Sequence, residues 1–270
     1  MAAQDFLARI GAKPLIMGIL NVTPDSFSDG GRHCDPGAAF LRAKKMVEEG
    51  ADIIDIGAES TRPGFTPVSA EEEWARLEAP LAAILREGIA PVSVDTTKAE
   101  IARRAVALGA AIINDVSGLH GEPALAEVAA ESGAALVVMH HCAEADPARD
   151  ILADMRAFFA RALARAEQAG VKRSQVVLDP GVGFGKTFEQ NLVAATSAGA
   201  LKAAFGLPVL VGLSRKRFIG AITGAPTEKR LAGTLAADLA ALQAGADIFR
   251  VHDVAEHADA LKVWSALVRA

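Results

Sequence analysis

Asp95, Asn114 and Asp179 each end a short apolar run, at the point where a buried strand would open into a loop. Two carboxylates and an amide at that depth would be partly desolvated. They suit a flat heterocycle that presents several N–H donors and an acceptor, such as a guanidine-like pyrimidinone edge. A second set comprises Arg62, Lys216, Arg250 and His252 with Asn21, expected at the rim. Those cations suit phosphate or diphosphate, and Mg²⁺ would fit between Asn21 and the phosphate oxygens. The implied ligand is half heterocycle and half polyanion. One aspartate at a strand end is more often a helix cap than a ligand; the recurrence of the pattern along the chain is what points to a site.

Other motifs give weaker signals. His140-His141-Cys142 has zinc-binding residue types, but adjacent histidines on a strand point to opposite faces. No second ligand group stands at metal spacing, so a structural metal is not expected there. The stretch Gly181-Val182-Gly183-Phe184-Gly185-Lys186 resembles a phosphate loop yet lacks the longer spacing and the Gly-Lys-Ser/Thr ending of one. Its glycines are expected to let the backbone and Phe184 lie close against a planar ligand. Ser214 has no evident His-Asp relay beside it. At a helix entrance with free backbone N–H groups, its hydroxyl suits a carboxylate. Asp115 and Asp253 read as structural partners.

These residues need a scaffold that brings many strand ends to one face. Gly50-Ala51-Asp52, Gly109-Ala110-Ala111, Gly133-Ala134-Ala135 and Gly245-Ala246-Asp247 each follow an Ala-rich amphipathic stretch and precede a short apolar run, forming a weak internal repeat. Each glycine would supply a left-handed helix cap, and each run a strand buried on both faces. Helix starts agree. Asp35-Pro36 offers an N-cap with proline in the first turn, and Ser69-x-x-Glu72, Thr97-x-x-Glu100 and Thr187-x-x-Gln190 fit a capping box. Strands are expected over 15–22, 53–57, 91–95, 112–116, 136–140, 176–179, 208–213 and 248–251, with a helical stretch after each. Strict alternation implies a parallel sheet with right-handed crossovers, and eight units in 270 residues favour a closed (β/α)8 barrel, one domain over residues 1–270. An open doubly wound sheet is the alternative, weakened by the lack of Gly-x-Gly-x-x-Gly after the first strand.

Hydrophobic residues make up 51% of the chain, ample for a core, and 28 Lys and Arg stand against 33 Asp and Glu, a net charge of -5. That balance gives no general attraction to nucleic acid. The two cysteines, Cys34 and Cys142, lie far apart, which points to a reducing compartment. Residues 1–14 contain no signal-peptide core, and no apolar run approaches the ~20 residues of a membrane span. The expectation is a cytoplasmic protein with no membrane partner.

In chain order, the segments Asn21 to Gly31 (NVTPDSFSDGG), Asp55 to Gly64 (DIGAESTRPG), Ser93 to Lys98 (SVDTTK), Asn114 to Gly118 (NDVSG), Asp179 to Lys186 (DPGVGFGK), Ser214 to Lys216 (SRK) and Arg250 to Val254 (RVHDV) resemble the bacterial dihydropteroate synthase family. The resemblance covers nearly the whole chain. It implies a TIM barrel that condenses 6-hydroxymethyl-7,8-dihydropterin diphosphate with 4-aminobenzoate, giving dihydropteroate and diphosphate in folate biosynthesis. It also implies Mg²⁺ at Asn21, inhibition by sulfonamides that mimic aminobenzoate, and a homodimer. Carried over by position, Asp95, Asn114, Asp179 and Lys216 would hold the pterin ring, with Met139 packing on it. Asn21, Arg250 and His252 would grip the diphosphate, with Thr61 and Gly212 beside the pterin diphosphate. Arg62, Pro63, Phe184 and Ser214 would border the aminobenzoate, and loops carrying Phe27 and Pro63 would close as lids. Asp95, Lys216, Asn21, Arg250 and His252 are the expected catalytic group.

One segment departs from the family pattern. After Met139-His140 the family continues with Gln-Gly and further Met/Gln residues, whereas this chain reads His141-Cys142-Ala143-Glu144-Ala145-Asp146-Pro147. Two other readings remain open at this point: a pterin-binding methyltransferase that uses methyltetrahydrofolate, and a catalytically silent paralogue that binds pterin or supports a partner subunit.

Overall fold

Strands buried on both faces alternate their side chains between two apolar environments, and the buried residues of this chain divide accordingly. In the computed structural model, which describes residues 6–23, 35–59 and 68–268, the strands are β1 (Leu15–Asn21), β2 (Ile53–Gly57), β3 (Val92–Asp95), β4 (Ile112–Asp115), β5 (Ala135–Met139), β6 (Val176–Asp179), β7 (Leu210–Val211) and β8 (Ile248–Val251). Between and after them lie α1 (Pro36–Glu49), α2 (Ala70–Glu87), α3 (Ala99–Leu108), α4 (Ala124–Ser132), α5 (Ile151–Gln168), α6 (Phe188–Ala195), α7 (Ala198–Phe205), α8 (Arg217–Thr223), α9 (Leu231–Gln243) and α10 (Val254–Val268).

All strand pairs are parallel, in the order β6-β5-β4-β3-β2-β1-β8-β7. A bridge between Leu178 and Val209 joins the two ends of that order, so the ring is nearly closed and the open-sheet alternative falls. One buried cluster fills the inside: Leu15, Met17, Ile53, Ile112, Ala135, Val137, Val177, Leu210 and Ile248, stoppered by Phe6 at the N-terminal end of the strands. Residues of the other parity, such as Ile16, Ile54, Val94, Ile113, Val138, Leu178 and Phe249, pack outward against the helices. Continuing the inward parity to the C-terminal ends gives Asn21, Asp95, Asn114, Met139, Asp179, Gly212, Arg250 and His252, which is why one mouth receives them all.

The Gly-Ala repeat does what its pattern predicts. Gly50, Gly109, Gly133 and Gly245 all have φ between 72° and 115°, the left-handed backbone that a helix end requires. In its two Asp-bearing copies the repeat does more. Ile16 N–H donates to Asp52 Oδ2 at 3.0 Å, and Val209 N–H donates to Asp247 Oδ2 at 2.9 Å. Each aspartate thus ties the start of its own strand to the neighbouring one, with Arg9 and Lys13 on Asp52 and Lys202 on Asp247 balancing the charge. The caps at Asp35, Ser69 and Thr187 form as expected. Thr97 does not cap. Helix α3 starts after Lys98, and Glu122 from a later loop accepts the Ala99 N–H at 3.0 Å instead.

Asp52→Ala leaves the Ile16 N–H buried without a partner and removes a charged acceptor. A loss of about 2–3 kcal/mol in unfolding free energy is expected in urea titration, and a loss under 0.5 kcal/mol would mean the tie is ornamental.

Candidate active site

The inner floor of the barrel mouth is an ionic group that spans the ring. Arg250 Nε donates to Asp55 Oδ2 at 2.6 Å, and a terminal nitrogen of the same guanidinium donates to Asp95 Oδ2 at 2.6 Å. Asn114 Nδ2 approaches both Asp55 oxygens, at 3.4 and 3.5 Å. Asp179 Oδ1 accepts the Gly181 N–H at 2.7 Å. Asp55, Asp95, Asn114 and Asp179 are all buried.

Burying so much charge shifts its proton equilibria. Desolvation pushes the Asp95 carboxyl up to about 7 even against the pull of Arg250, and Asp55 adds to the rise. Burial also raises Asp179, opposed by the Gly181 N–H and Lys216. Lys216 is driven down to about 8 by burial, with Asp179 pulling the other way. Arg250 is held more firmly protonated, because Asp55 and Asp95 together outweigh its own desolvation. The group is net acidic and partly unsatisfied, a set of acceptors suited to a ligand rich in donors.

This geometry revises the sequence reading in three places. Arg250 lies on the floor, bonded to carboxylates, rather than among the cations of the rim. Ser214 does have a histidine beside it, since its Oγ lies 2.8 Å from His252 Nδ1. The glycines of 181–186 serve close approach to protein backbone: a Cβ on Gly181 would stand 1.7 Å from the His140 carbonyl oxygen, and one on Gly185 would stand 1.9 Å from that of Cys142. Both also have φ near +60°.

Lys216 lies over the Phe184 ring at 4.5 Å from its centroid, a cation–π contact that orients both. It is aimed there by Arg215, a non-glycine residue at φ 58°. That conformation is held by Arg215 Nε on Asp253 at 3.0 Å and by the Arg215 N–H on Thr234 Oγ1 at 3.1 Å. Asp253 is therefore structural, as is Asp115, which accepts the Ser117 and Leu119 N–H groups at 2.8 and 2.6 Å. Met139 is buried on the inward face, a Cβ on Gly212 would stand 3.9 Å from the Arg250 Cβ, and Asn21 is exposed at the end of β1. Thr61, Arg62, Pro63 and Phe27, the last expected in a lid, lie outside the described residues, as does Cys34.

Sequence reasoning missed several residues. Asp55 sits inside the run Ile53-Ile54-Asp55-Ile56, where a carboxylate must find a partner, and Arg250 inside Ile248-Phe249-Arg250-Val251 is its complement; that pairing was the available signal. Lys186 is buried with its Nζ on the carbonyls of Gly181 (2.7 Å), Phe184 (3.2 Å) and His140 (3.4 Å), closing the 181–186 loop around itself. Lys98 joins Glu59 and the buried Glu73, each at 2.6 Å, while the other Glu59 oxygen accepts the Val68 N–H at 3.1 Å. Glu59 thus fastens the two ends of the segment that carries Thr61, Arg62 and Pro63.

The chain matches the family described as "Pterin binding enzyme" over residues 17–252, a span that takes in every strand, apart from the residues of β1 before Met17, and all the floor residues. It is 46% identical to the dihydropteroate synthase of Bacillus subtilis (strain 168) over 256 residues, spanning 95% of this chain and 89% of that one. The dihydropteroate synthase of Xanthomonas albilineans solved with 4-aminobenzoic acid superposes with a TM-score of 0.90 at 44% identity, covering 96% of this chain and 94% of that chain. The same enzyme in complex with 7,8-dihydropteroate gives 0.86 at 42% identity, covering 96% and 95%. This chain belongs to the dihydropteroate synthases.

Replacing Arg250 by Met keeps the bulk but leaves Asp55 and Asp95 buried without their cation. A loss of about 3–5 kcal/mol in unfolding free energy at pH 8 is expected by urea titration; a change below 1 kcal/mol would show that the pair does not hold the floor together.

Proposed function

We propose that the protein joins (7,8-dihydropterin-6-yl)methyl diphosphate to 4-aminobenzoate, releasing 7,8-dihydropteroate and diphosphate, in folate biosynthesis. The observation that carries this reading is the single inward parity shared by the acidic acceptors Asp95, Asn114 and Asp179 and by Arg250, His252 and Asn21. A pterin offers its amino and ring N–H groups to the first set, and Lys216 supplies a donor from above. Because Nε and one terminal nitrogen of Arg250 are engaged below, its remaining terminal nitrogen is available to the diphosphate. His252, at the end of β8, and Asn21, at the end of β1, adjoin that path.

Breaking the bond from methylene carbon to diphosphate oxygen leaves positive charge on the pterin methylene. Asp95 and Asp179, held in a dry floor, stabilise that charge. The amine nitrogen of 4-aminobenzoate then bonds to the carbon and sheds a proton to water. A neutral aniline needs placement more than deprotonation. Phe184 and Ser214 supply the described part of that placement, and Arg62 and Pro63 would complete it. Sulfonamides would compete for this half of the site.

Mg²⁺ fits the donor set at the mouth. Asn21 contributes one exposed neutral amide oxygen, a hard ligand suited to a cation that takes its other ligands from water and phosphate. Bound there, Mg²⁺ would neutralise charge on the departing diphosphate. We also read the protein as a cytoplasmic homodimer. The free thiol of Cys142 supports a reducing compartment, and the exposed Phe188, Leu192 and Val193 of α6 offer an apolar face to a second copy. Among the described residues no helix is long and apolar enough to cross a membrane.

Purified protein given the pterin diphosphate, Mg²⁺ and 4-aminobenzoate is expected to form dihydropteroate with one diphosphate per amine consumed; diphosphate release without amine consumption, or neither, would sink the assignment. The proton equilibria add a second expectation. Activity needs Asp95 ionised and Lys216 protonated, so kcat/KM for the pterin substrate should fall below pH about 7 and again above pH about 8. Lys216→Arg should move the alkaline limb upward and leave the acid limb in place. An unchanged alkaline limb in that variant would remove Lys216 from the titration.

A further inference from the structure

On the outer side of the barrel wall, facing away from Met139, three side chains of metal-ligand type converge. His140 follows the last residue of β5, Cys142 stands two residues on, and Asp154 comes from the first turn of α5. Asp154 Oδ2 lies 3.1 Å from His140 Nε2 and 3.5 Å from Cys142 Sγ, and the sulfur lies 3.9 Å from Nε2. The sequence offered no such third group near the His140-His141-Cys142 run, because Asp154 is supplied by the fold.

Tetrahedral zinc, with bonds of about 2.0–2.1 Å to nitrogen and oxygen and about 2.3 Å to sulfur, spaces its ligands by about 3.3 Å from N to O and about 3.6 Å from S to either. The three observed separations are within a few tenths of an ångström of those values. Without an ion the same groups hydrogen-bond to one another, His140 Nε2 with Asp154 Oδ2 and the Cys142 S–H donating to that same oxygen at 3.5 Å, so the ligand atoms are gathered before an ion arrives. The geometry points to a site for a divalent cation of zinc's class, held by His140, Cys142 and Asp154, with a fourth position for water. It is separate from the proposed Mg²⁺ position, which draws on Asn21 inside the mouth.

The chemistry of the three groups suits such an ion. A mixed imidazole, thiolate and carboxylate set selects zinc over magnesium or calcium, which prefer oxygen alone. The His140 ring is buried, with Nε2 turned toward Asp154 and Cys142. Edge-on contact with Phe158, centroids 4.8 Å apart at 70°, fixes the ring plane. On binding, the Cys142 S–H bond breaks, the sulfur bonds to the metal and the proton leaves to solvent. Thiolate, carboxylate and dication then sum to zero charge, so Lys186 and Arg149, whose Nε is 3.9 Å from Asp154, face a neutral cluster where they had faced one carboxylate, a rise of one unit rather than two. The Asp154 side chain is 34% exposed, which gives the ion a way in.

Occupancy would also reach the catalytic mouth. The carbonyls of His140 and Cys142 abut Gly181 and Gly185, and Cys142 N–H donates to the Phe184 carbonyl at 3.4 Å. A metal here would stiffen the support of the loop that presents Phe184.

The test is a titration of the metal-stripped full-length protein with Co²⁺, followed by displacement with Zn²⁺. One equivalent of Co²⁺ should bring up a thiolate-to-cobalt charge-transfer band together with tetrahedral visible bands, and Zn²⁺ should abolish both while raising the melting temperature. Cys34→Ser should keep the band. Cys142→Ser should lose it, and Asp154→Asn should weaken Zn²⁺ binding at least about 100-fold, with the metal-free melting temperature checking that each variant folds. No charge-transfer band at one equivalent would overturn the proposal. So would a band that survives Cys142→Ser, or Zn²⁺ affinity unchanged in Asp154→Asn.

Discussion

The guanidinium of Arg250, bonded on one edge to Asp55 and toward the other to Asp95, sets the terms for everything around it. Removing two carboxylates and a guanidinium from water costs several kcal/mol per ion, and close paired geometry recovers that only if the remaining lone pairs also find donors. Here they do so in part. Asn114 reaches Asp55 at 3.4 Å, while Asp95 and Asp179 retain acceptor capacity beyond their bonds to Arg250 and Gly181. A folded protein holds such an unfinished network at the bottom of its mouth when a ligand completes it. The excess of acceptors over donors dictates that the ligand brings N–H groups, which is what a pterin edge does.

The barrel makes this arrangement possible by separating two uses of one strand. Below the floor the inward residues are Met17, Ile53, Val137 and Val177, a dry plug that gives the ionic layer its low dielectric surroundings. Outward residues of the same strands are committed to helix packing and cannot take part. The ionic layer is therefore one side chain deep. Its members are fixed by strands, whereas the loops above it are held by charged clamps: Glu59 with Lys98 and Glu73, Lys186 with three carbonyls, and Arg215 with Asp253. Each clamp is a charge placed where a loop leaves the barrel.

Much of this was legible in the residues themselves. Eight apolar runs, glycines at the helix ends and polar residues at the strand ends are local signals, and their register in the barrel follows from alternation alone. The strands begin and end within one residue of the expected ranges except at β7, where Leu210–Val211 is two residues shorter at each end than 208–213 and the chain soon turns into the Ser214–Lys216 bend. What escaped were pairings between distant segments. Asp55 and Arg250 are 195 residues apart, and Lys98 reaches Glu59 from the next strand. A charge buried in mid-strand announces that it has a partner but not which one. The capping box read at Thr97 failed for a similar reason: a long-range carboxylate, Glu122, supplied the cap that the local pattern assigned to a neighbour.

The stretch after His140 supports its neighbour mainly through its backbone. The 181–186 loop leans on this stretch through main-chain atoms: the His140 and Cys142 carbonyls against Gly181 and Gly185, and the Cys142 N–H on the Phe184 carbonyl. Apart from the Cys142 Cβ, which also abuts Gly185, the contacts are made by main-chain atoms, so the side chains of 143–147 stand clear of the support under Phe184. Met139 is the last residue of β5, and its side chain is on the inward parity that faces the mouth. The division between backbone support and side-chain freedom leaves the outer face of this segment open to new chemistry, and the imidazole, thiol and carboxylate gathered there occupy that freedom.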